Sequence, residues 1–128
     1  MRLPAPTECL RHRPPALLIG RIESWDGRTV RCAGTSTAWS WVQLLEGAAQ
    51  AAGIGCGLGE DGWRDGAVVA DYRDVEILAN AYDGGVAFEA TLARRILGFR
   101  RCRAVARARG GEPLLRAVVT LLPDGPRT

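Results

Sequence analysis

Glu46 and Gln50 are the residues whose types and spacing most directly suggest chemistry. They stand four positions apart, the spacing that puts two side chains on one face of a helix. The segment around them, residues 38–56, is apolar on almost every side, which is typical of a buried helix. A buried carboxylate must be paired or kept protonated, and a protonated carboxyl near neutral pH is suited to general-acid catalysis. Glu46 is therefore the first candidate catalytic residue.

Flanking residues predict where this helix begins and ends. Thr35, Ser36 and Thr37 carry side-chain oxygens that accept hydrogen bonds from the free amides of a helix start, so they are the predicted N-caps. The glycine-rich residues 53–62 end the helix.

Strand-like segments lie on both sides of the helix, separated by turn signals such as Asp26-Gly27. Their predicted bounds are 16–26, 29–33, 67–78, 86–97, 99–109 and 113–122. Within 99–109 the small residues alternate with arginines, so each set is expected on its own face of a sheet. This order predicts an α+β fold in which an antiparallel sheet wraps around one long buried helix.

Composition bounds the classes of function. The chain of 128 residues is expected to be a single domain, 1–128, with an ordered core at about 7–122. No apolar run approaches the roughly 18 residues of a membrane span, and the N-terminus lacks a signal-like apolar stretch, so a cytoplasmic location without a membrane partner is expected. The four cysteines form no C-x-x-C pair, which favours buried thiols over a metal site or disulfides.

Two segments resemble the hotdog-fold 3-hydroxyacyl-ACP dehydratases of fatty acid, polyketide and aryl polyene biosynthesis. Residues 12–22, HRPPALLIGRI, are similar to the opening "HR-P-x-L-L-x-D-R" strand of that family. Residues 44–53, LLEGAAQAAG, resemble its helix motif "L-I-E-A-M-A-Q-A-A-G". Both occur in the family's order, and the resemblance covers about residues 7–122. It implies the hotdog fold.

One departure from the family pattern bears on catalysis. The resemblance implies a catalytic histidine in a "G-H-F-P"-like loop just before the helix, yet residues 30–41 contain none, and Gly20 replaces the aspartate of the opening motif. His12, the one histidine of the chain, matches the opening motif and not the catalytic base. The chain therefore resembles a dehydratase that lacks its usual base.

The resemblance implies a subunit that eliminates water from a 3-hydroxyacyl thioester held on the phosphopantetheine of an acyl carrier protein, without another cofactor. Glu46 would then protonate the leaving hydroxyl, and Gln50 would orient Glu46 or a water molecule. The helix start would offer an amide to the thioester carbonyl. A homodimer, or a heterodimer whose partner supplies the histidine, is expected. A hotdog thioesterase using Glu46 and a non-catalytic partner subunit are the alternatives.

Two further groups of residues are candidates for substrate or carrier binding. Trp39 and Trp41 occupy the segment where the missing base would stand, so they are expected to fill or reshape the acyl pocket. Arg101 and Arg103 belong to a dense basic region suited to anionic carriers. Nucleic acid is a poorer match, because aromatic side chains are not interleaved with these charges.

Overall fold

The computed structural model describes residues 2–10, 16–59 and 67–123. After a short 3₁₀ helix, Pro6–Glu8, the elements are β1 (Ile19–Trp25), β2 (Thr29–Gly34), β3 (Ala38–Ser40), α1 (Trp41–Leu58), β4 (Ala67–Ile77), β5 (Ala81–Asp83), β6 (Val86–Ile96), β7 (Phe99–Ala108) and β8 (Pro113–Pro123). Six strands form one antiparallel sheet in the order β1-β2-β6-β7-β8-β4. The predicted α+β architecture is confirmed, and the six predicted strands all form.

The helix packs on one face of the sheet because that face carries small residues. Cys102, Ala104, Ala106 and Ala108 of β7 are all buried, as the alternation predicted. Their short side chains let α1 approach the sheet closely, and larger residues such as Phe88 fill the space around it. At Gly47, a β-carbon would lie 2.3 Å from the Phe88 ring, so only glycine admits that ring against the helix.

The predicted N-caps are wrong. Residues 38–40 form β3, which pairs with β5 in a separate two-stranded sheet, and this pairing delays the helix start to Trp41. Ser40 is the N-cap: its Oγ accepts a hydrogen bond from the Gln43 amide at 3.3 Å, and Gln43 Oε1 accepts one from the Ser40 amide at 2.9 Å. The two short strands were not predicted, since three residues are too few to show a period.

The helix is buried over most, but not all, of its length. Residues 47–56 are buried on every side, whereas Trp41, Val42, Gln43 and Glu46 in its first half are exposed. No helix among the described residues combines the length and the hydropathy that crossing a bilayer requires.

Candidate functional site

Glu46 lies on the exposed first half of α1, so the prediction that it is buried is wrong for the single chain. Before Gly47 only one side of α1 reaches the core, through the fully buried Leu44, and Glu46 lies on the other side. The burial argument for a general acid therefore fails for the single chain, and a catalytic Glu46 stays a prediction that rests on the helix motif.

Gln50, one turn further along, is 2% exposed and bonded to backbone. Its Oε1 accepts a hydrogen bond from the Leu18 amide and its Nε2 donates one to the Ala16 carbonyl, both at 2.8 Å. Gln50 thereby fastens the start of β1 to the helix, which brings the two segments that carry the family resemblance into direct contact. The hydrogen bonds to Leu18 and Ala16 give Gln50 a structural role. That Gln50 also orients Glu46 or a water molecule stays a prediction.

Tyr72 is a site residue that sequence patterns did not reveal. It pairs with Val119, which is fully buried under α1, so Tyr72 points to the same side as the helix. Burial raises the pKa of the Tyr72 phenol, and the negative charge of Glu46 raises it further. A neutral phenol therefore stands within electrostatic range of the carboxylate.

The register of β4 explains why Tyr72 was missed. Strict alternation would put Val69 and Tyr72 on opposite faces of the strand. A register shift between Val69 and Asp71 instead turns both toward α1. A bulge of this kind leaves no reliable mark in a sequence of small and apolar residues.

The edge of β4 that points away from β8 has no strand partner among the described residues. Several large apolar side chains on and near this edge are exposed: Val68, Val75, Ile77 and Leu78. Trp41 and Val42 at the start of α1 are exposed as well, the latter at 54%. An uncovered edge strand that carries apolar side chains is a typical protein interface.

The two tryptophans predicted to line an acyl pocket differ in position. Trp39 is in the core: its ring meets Phe88 edge-to-face at a centroid distance of 5.4 Å, and its Nε1 donates a hydrogen bond to the Ser36 carbonyl at 3.0 Å. Trp41 is partly exposed at the helix start. Its amide donates to the Asn80 carbonyl at 2.9 Å, so this amide and that of Gln43 are already bonded and are not offered to a substrate.

Arg101 and Arg103 lie on the face of the sheet opposite α1. They alternate in β7 with Cys102 and Ala104, which are buried against the helix. The structure therefore separates these arginines from Glu46 and Trp41, on the other side of the sheet. Part of the arginine-rich face is neutralised within the chain, since Glu89 forms ion pairs with Arg31 and Arg107.

The other side chains that could take part in chemistry are the cysteines, possible metal ligands and His12. All four cysteines are buried thiols, and burial raises the pKa of Cys32 to about 12. The described residues hold no group of three histidine, cysteine or carboxylate side chains that would fit a metal ion. His12 lies outside the described residues.

One long helix packed on one face of a six-stranded antiparallel sheet is the hotdog fold, and this chain has that fold. No protein-family model matches the sequence, and no curated protein matches it at a significant level. Solved structures do match. The chain is similar to the dehydratase heterocomplex ApeI:P of Xenorhabdus doucetiae, with a TM-score of 0.81 and 15% identity over 97% of this chain and 93% of that one.

Two other solved structures are similar over less of the chain. A thioesterase from Haemophilus influenzae superposes with a TM-score of 0.63 and 13% identity, over 79% of this chain and 75% of that one. The PaaI protein from the phenylacetic acid degradation operon of E. coli superposes with a TM-score of 0.64 and 13% identity, over 79% and 80%. At these identities the likenesses establish the fold.

Proposed function

We propose that this chain is a subunit of a 3-hydroxyacyl-thioester dehydratase that acts on carrier-bound substrates in fatty acid or polyketide-type biosynthesis. The observation that carries the proposal is the position of Glu46. It is an exposed carboxylate of α1 within electrostatic range of Tyr72, a residue of the edge strand β4, which exposes several apolar side chains. Such a site becomes enclosed only when a second subunit covers the edge. The similarity to a dehydratase heterocomplex over 97% of the chain supports the same assignment.

The reaction requires a base that the described residues do not offer. Among the described residues there is no histidine, and the buried thiols are poor bases at neutral pH. We infer that a second hotdog subunit supplies a histidine across the β4 edge. A homodimer would instead need another base, so the heterodimer is the form that the proposal favours.

In the proposed mechanism the partner's base removes the proton alpha to the thioester carbonyl. The electron pair of that C–H bond forms the new double bond, and the bond from the beta carbon to the hydroxyl breaks. Glu46 donates its proton to the departing hydroxyl, which leaves as water, and the thioester remains intact. In this proposal the Tyr72 phenol donates a hydrogen bond to Glu46 or to the substrate. The substrate arrives on phosphopantetheine, and the chemistry needs no other cofactor.

The decisive experiment supplies a 3-hydroxyacyl carrier protein to this chain paired with candidate hotdog subunits. In the active pair, Glu46→Gln should lower the rate of enoyl formation by about 10² to 10⁴-fold, the usual contribution of one general acid. Glu23→Gln is the matched control, because Glu23 is a glutamate of β1 at the opposite edge of the sheet. If Glu46→Gln keeps full activity, or if no pairing forms the enoyl product, the proposal fails.

The thioesterase alternative has support from the likeness to the Haemophilus influenzae thioesterase and from the accessible helix carboxylate. In that reaction Glu46 would activate water, or attack the thioester carbonyl itself, and the products would be a free acid and a thiol. Release of thiol from an acyl thioester separates this activity from dehydration, which keeps the thioester bond. If neither product forms but the chain is required for a sister subunit's activity, it is a non-catalytic partner.

A further inference from the structure

The face of α1 that carries Glu46 is covered along its second half by the chain itself. Glu46, Gln50 and Gly53 follow this face, because spacings of three and four residues return to the same side of a helix. Gln50 is 2% exposed and bonded to the backbone of residues 16–18. At Gly53, a β-carbon would lie 3.2 Å from Cδ2 of Leu10. A ligand that contacts Glu46 therefore meets the N-terminal segment if it extends toward the end of α1.

The space beneath the helix at this point is filled by two aromatic rings. Gly47 follows Glu46 and faces the sheet, where a β-carbon would lie 2.3 Å from Cζ of the fully buried Phe88. Trp39 packs edge-to-face on the Phe88 ring, and a β-carbon at Gly34 would lie 2.5 Å from Cζ2 of Trp39. Two glycines thus make room for the two rings. The rings occupy the space that a ligand would need in order to extend from Glu46 into the core.

Toward the start of α1 the same face is open and apolar. Val42 stands four residues before Glu46, which is about one helical turn, and its side chain is 54% exposed. Trp41 beside it is 38% exposed. A few polar groups among apolar side chains are typical of a small-molecule site. This direction away from Glu46 is therefore the one that suits an apolar chain.

Strand β4 runs beside α1 in the opposite direction and extends this apolar surface. Tyr72 lies within electrostatic range of Glu46, and beyond the strand the Asn80 carbonyl accepts a hydrogen bond from the Trp41 amide at 2.9 Å. Ile77 comes between these two points of β4 and is 42% exposed. It pairs with a residue that is fully buried under α1, so it points to the helix side of the sheet. Ile77 therefore lies opposite the first turn of α1.

We propose that the acyl tail of the substrate runs from Glu46 toward the start of α1, and that Val42 sets the length of tail that the site accepts. The proposal rests on the proposed function, in which the beta carbon of the substrate stands at Glu46. The tail begins beyond that carbon and reaches Val42 after one helical pitch of about 5.4 Å. Each methylene that the tail buries there should raise the affinity about fourfold.

A side chain of the partner subunit is the other candidate for contact with Val42. It fits less well, because it would stand one turn from the proposed acid, in the direction that the rest of this subunit leaves to the tail. The partner also has other exposed aliphatic side chains to contact, such as Val75 on β4.

The test compares a short and a long substrate in an active pair: the 3-hydroxybutyryl and 3-hydroxyoctanoyl thioesters of N-acetylcysteamine. Val42→Phe should lower kcat/KM for the octanoyl substrate at least about 10-fold, because the larger side chain takes the place of the tail. The butyryl substrate should stay within about twofold of its original value, because its tail ends before Val42. An equal loss on both substrates would place Val42 in the assembly of the pair and overturn the proposal.

Val68→Phe is the matched control. Val68 is a valine of similar exposure, 46%, but it follows Ala67, which lies next to Gly53 at the covered end of α1. This variant should leave the ratio of the two kcat/KM values unchanged. A change of that ratio as large as the one in Val42→Phe would show that the ratio does not report the path of the tail, and would overturn the proposal.

Phe88→Leu tests the direction into the core, because it replaces the ring beneath Gly47 by a smaller side chain. We expect the ratio of octanoyl to butyryl kcat/KM to follow Val42 and not Phe88. If Phe88→Leu raises this ratio while Val42→Phe leaves it unchanged, the tail enters the core and the proposal is overturned.

Binding of the saturated octanoyl thioester, measured by calorimetry, separates this inference from the dehydratase assignment. If the enoyl product forms but its length dependence ignores Val42, the dehydratase stands and the inference fails. If free acids are released, or no thioester is converted, and Val42→Phe still weakens octanoyl binding, the inference stands and the dehydratase assignment fails. Absence of octanoyl binding would overturn the inference.

Discussion

The two edge strands of the sheet, β1 and β4, expose different side chains, and this difference favours β4 as the edge that contacts a partner. In β1, both aliphatic side chains, Ile19 and Ile22, are buried, and Arg21 and Glu23 form a surface ion pair at 3.1 Å. Charged side chains on an edge strand discourage pairing with another chain. In β4, the aliphatic Val75 and Ile77 are exposed beside the charged Arg73, Asp74 and Glu76. Exposed aliphatic side chains therefore distinguish the β4 edge from the β1 edge, and they favour β4 as the interface.

The first prediction tests whether the β4 edge forms the interface. Ile77→Asp on β4 should weaken dimerisation by about 100-fold or more, roughly 3 kcal/mol, because the new carboxylate would be buried without a partner in the complex. In the proposed dimer the partner completes the site at this edge, so activity of the pair should fall with dimerisation. Sedimentation velocity across a concentration series measures the change.

Ser24→Asp on β1 is the matched control, since it adds the same charge to the other edge. It should leave the dimer intact. Dimers that tolerate Ile77→Asp but dissociate with Ser24→Asp would reverse the comparison of the two edges.

The second prediction concerns how the edge strand β1 is held. Gln50→Leu removes both hydrogen bonds to the start of β1 and leaves the buried Leu18 amide without its acceptor, so the free energy of unfolding should fall by about 2 kcal/mol. Urea unfolding at low protein concentration measures it. Dimerisation through β4 should not change.

Gln43→Leu is the control for that substitution. It removes an exposed capping contact and should cost about 1 kcal/mol or less. An equal loss from both variants would mean that the Gln50 hydrogen bonds contribute little beyond an ordinary cap.

The sequence allowed the main elements to be predicted because their patterns are long. Strands of ten or eleven residues and a helix of 18 show their periods clearly, and the alternation of Cys102 and Ala104 with Arg101 and Arg103 correctly divided β7 into two faces. The short strands β3 and β5 are stabilised mainly by pairing with each other, which no local pattern reveals. The wrong N-caps follow from missing that pairing.

The site was harder to predict for two physical reasons. Apolar residues such as Trp41 and Val42 indicate burial but not whether the cover comes from the same chain or from another, so Glu46 was expected to be buried and is exposed. Tyr72 depends on a register shift in β4, which is set by pairing with β8. Both features are decided by tertiary or quaternary contacts.

The third prediction has the smallest expected effect. It tests whether Tyr72 on β4 interacts electrostatically with Glu46. The pKa of Tyr72 is raised by burial and by the charge of Glu46, so removing that charge with Glu46→Gln should lower it. The chain has two tyrosines, and in a Tyr82→Phe background the ultraviolet absorbance of tyrosinate reports Tyr72 alone. A partner that covers the β4 edge should raise this pKa further, because it adds to the burial.

The raised pKa also has a consequence for stability with a definite sign. Above the ordinary tyrosine pKa of about 10, the unfolded chain loses the proton while the folded chain keeps it, so stability should fall as pH rises through this window. Below this pH window, Tyr72 is neutral in both the folded and the unfolded chain, so it does not make the free energy of unfolding depend on pH. Tyr72→Phe should remove that part of the alkaline loss in urea unfolding. An unchanged pKa of Tyr72 in Glu46→Gln would show that burial alone sets it, and that Tyr72 and Glu46 act separately.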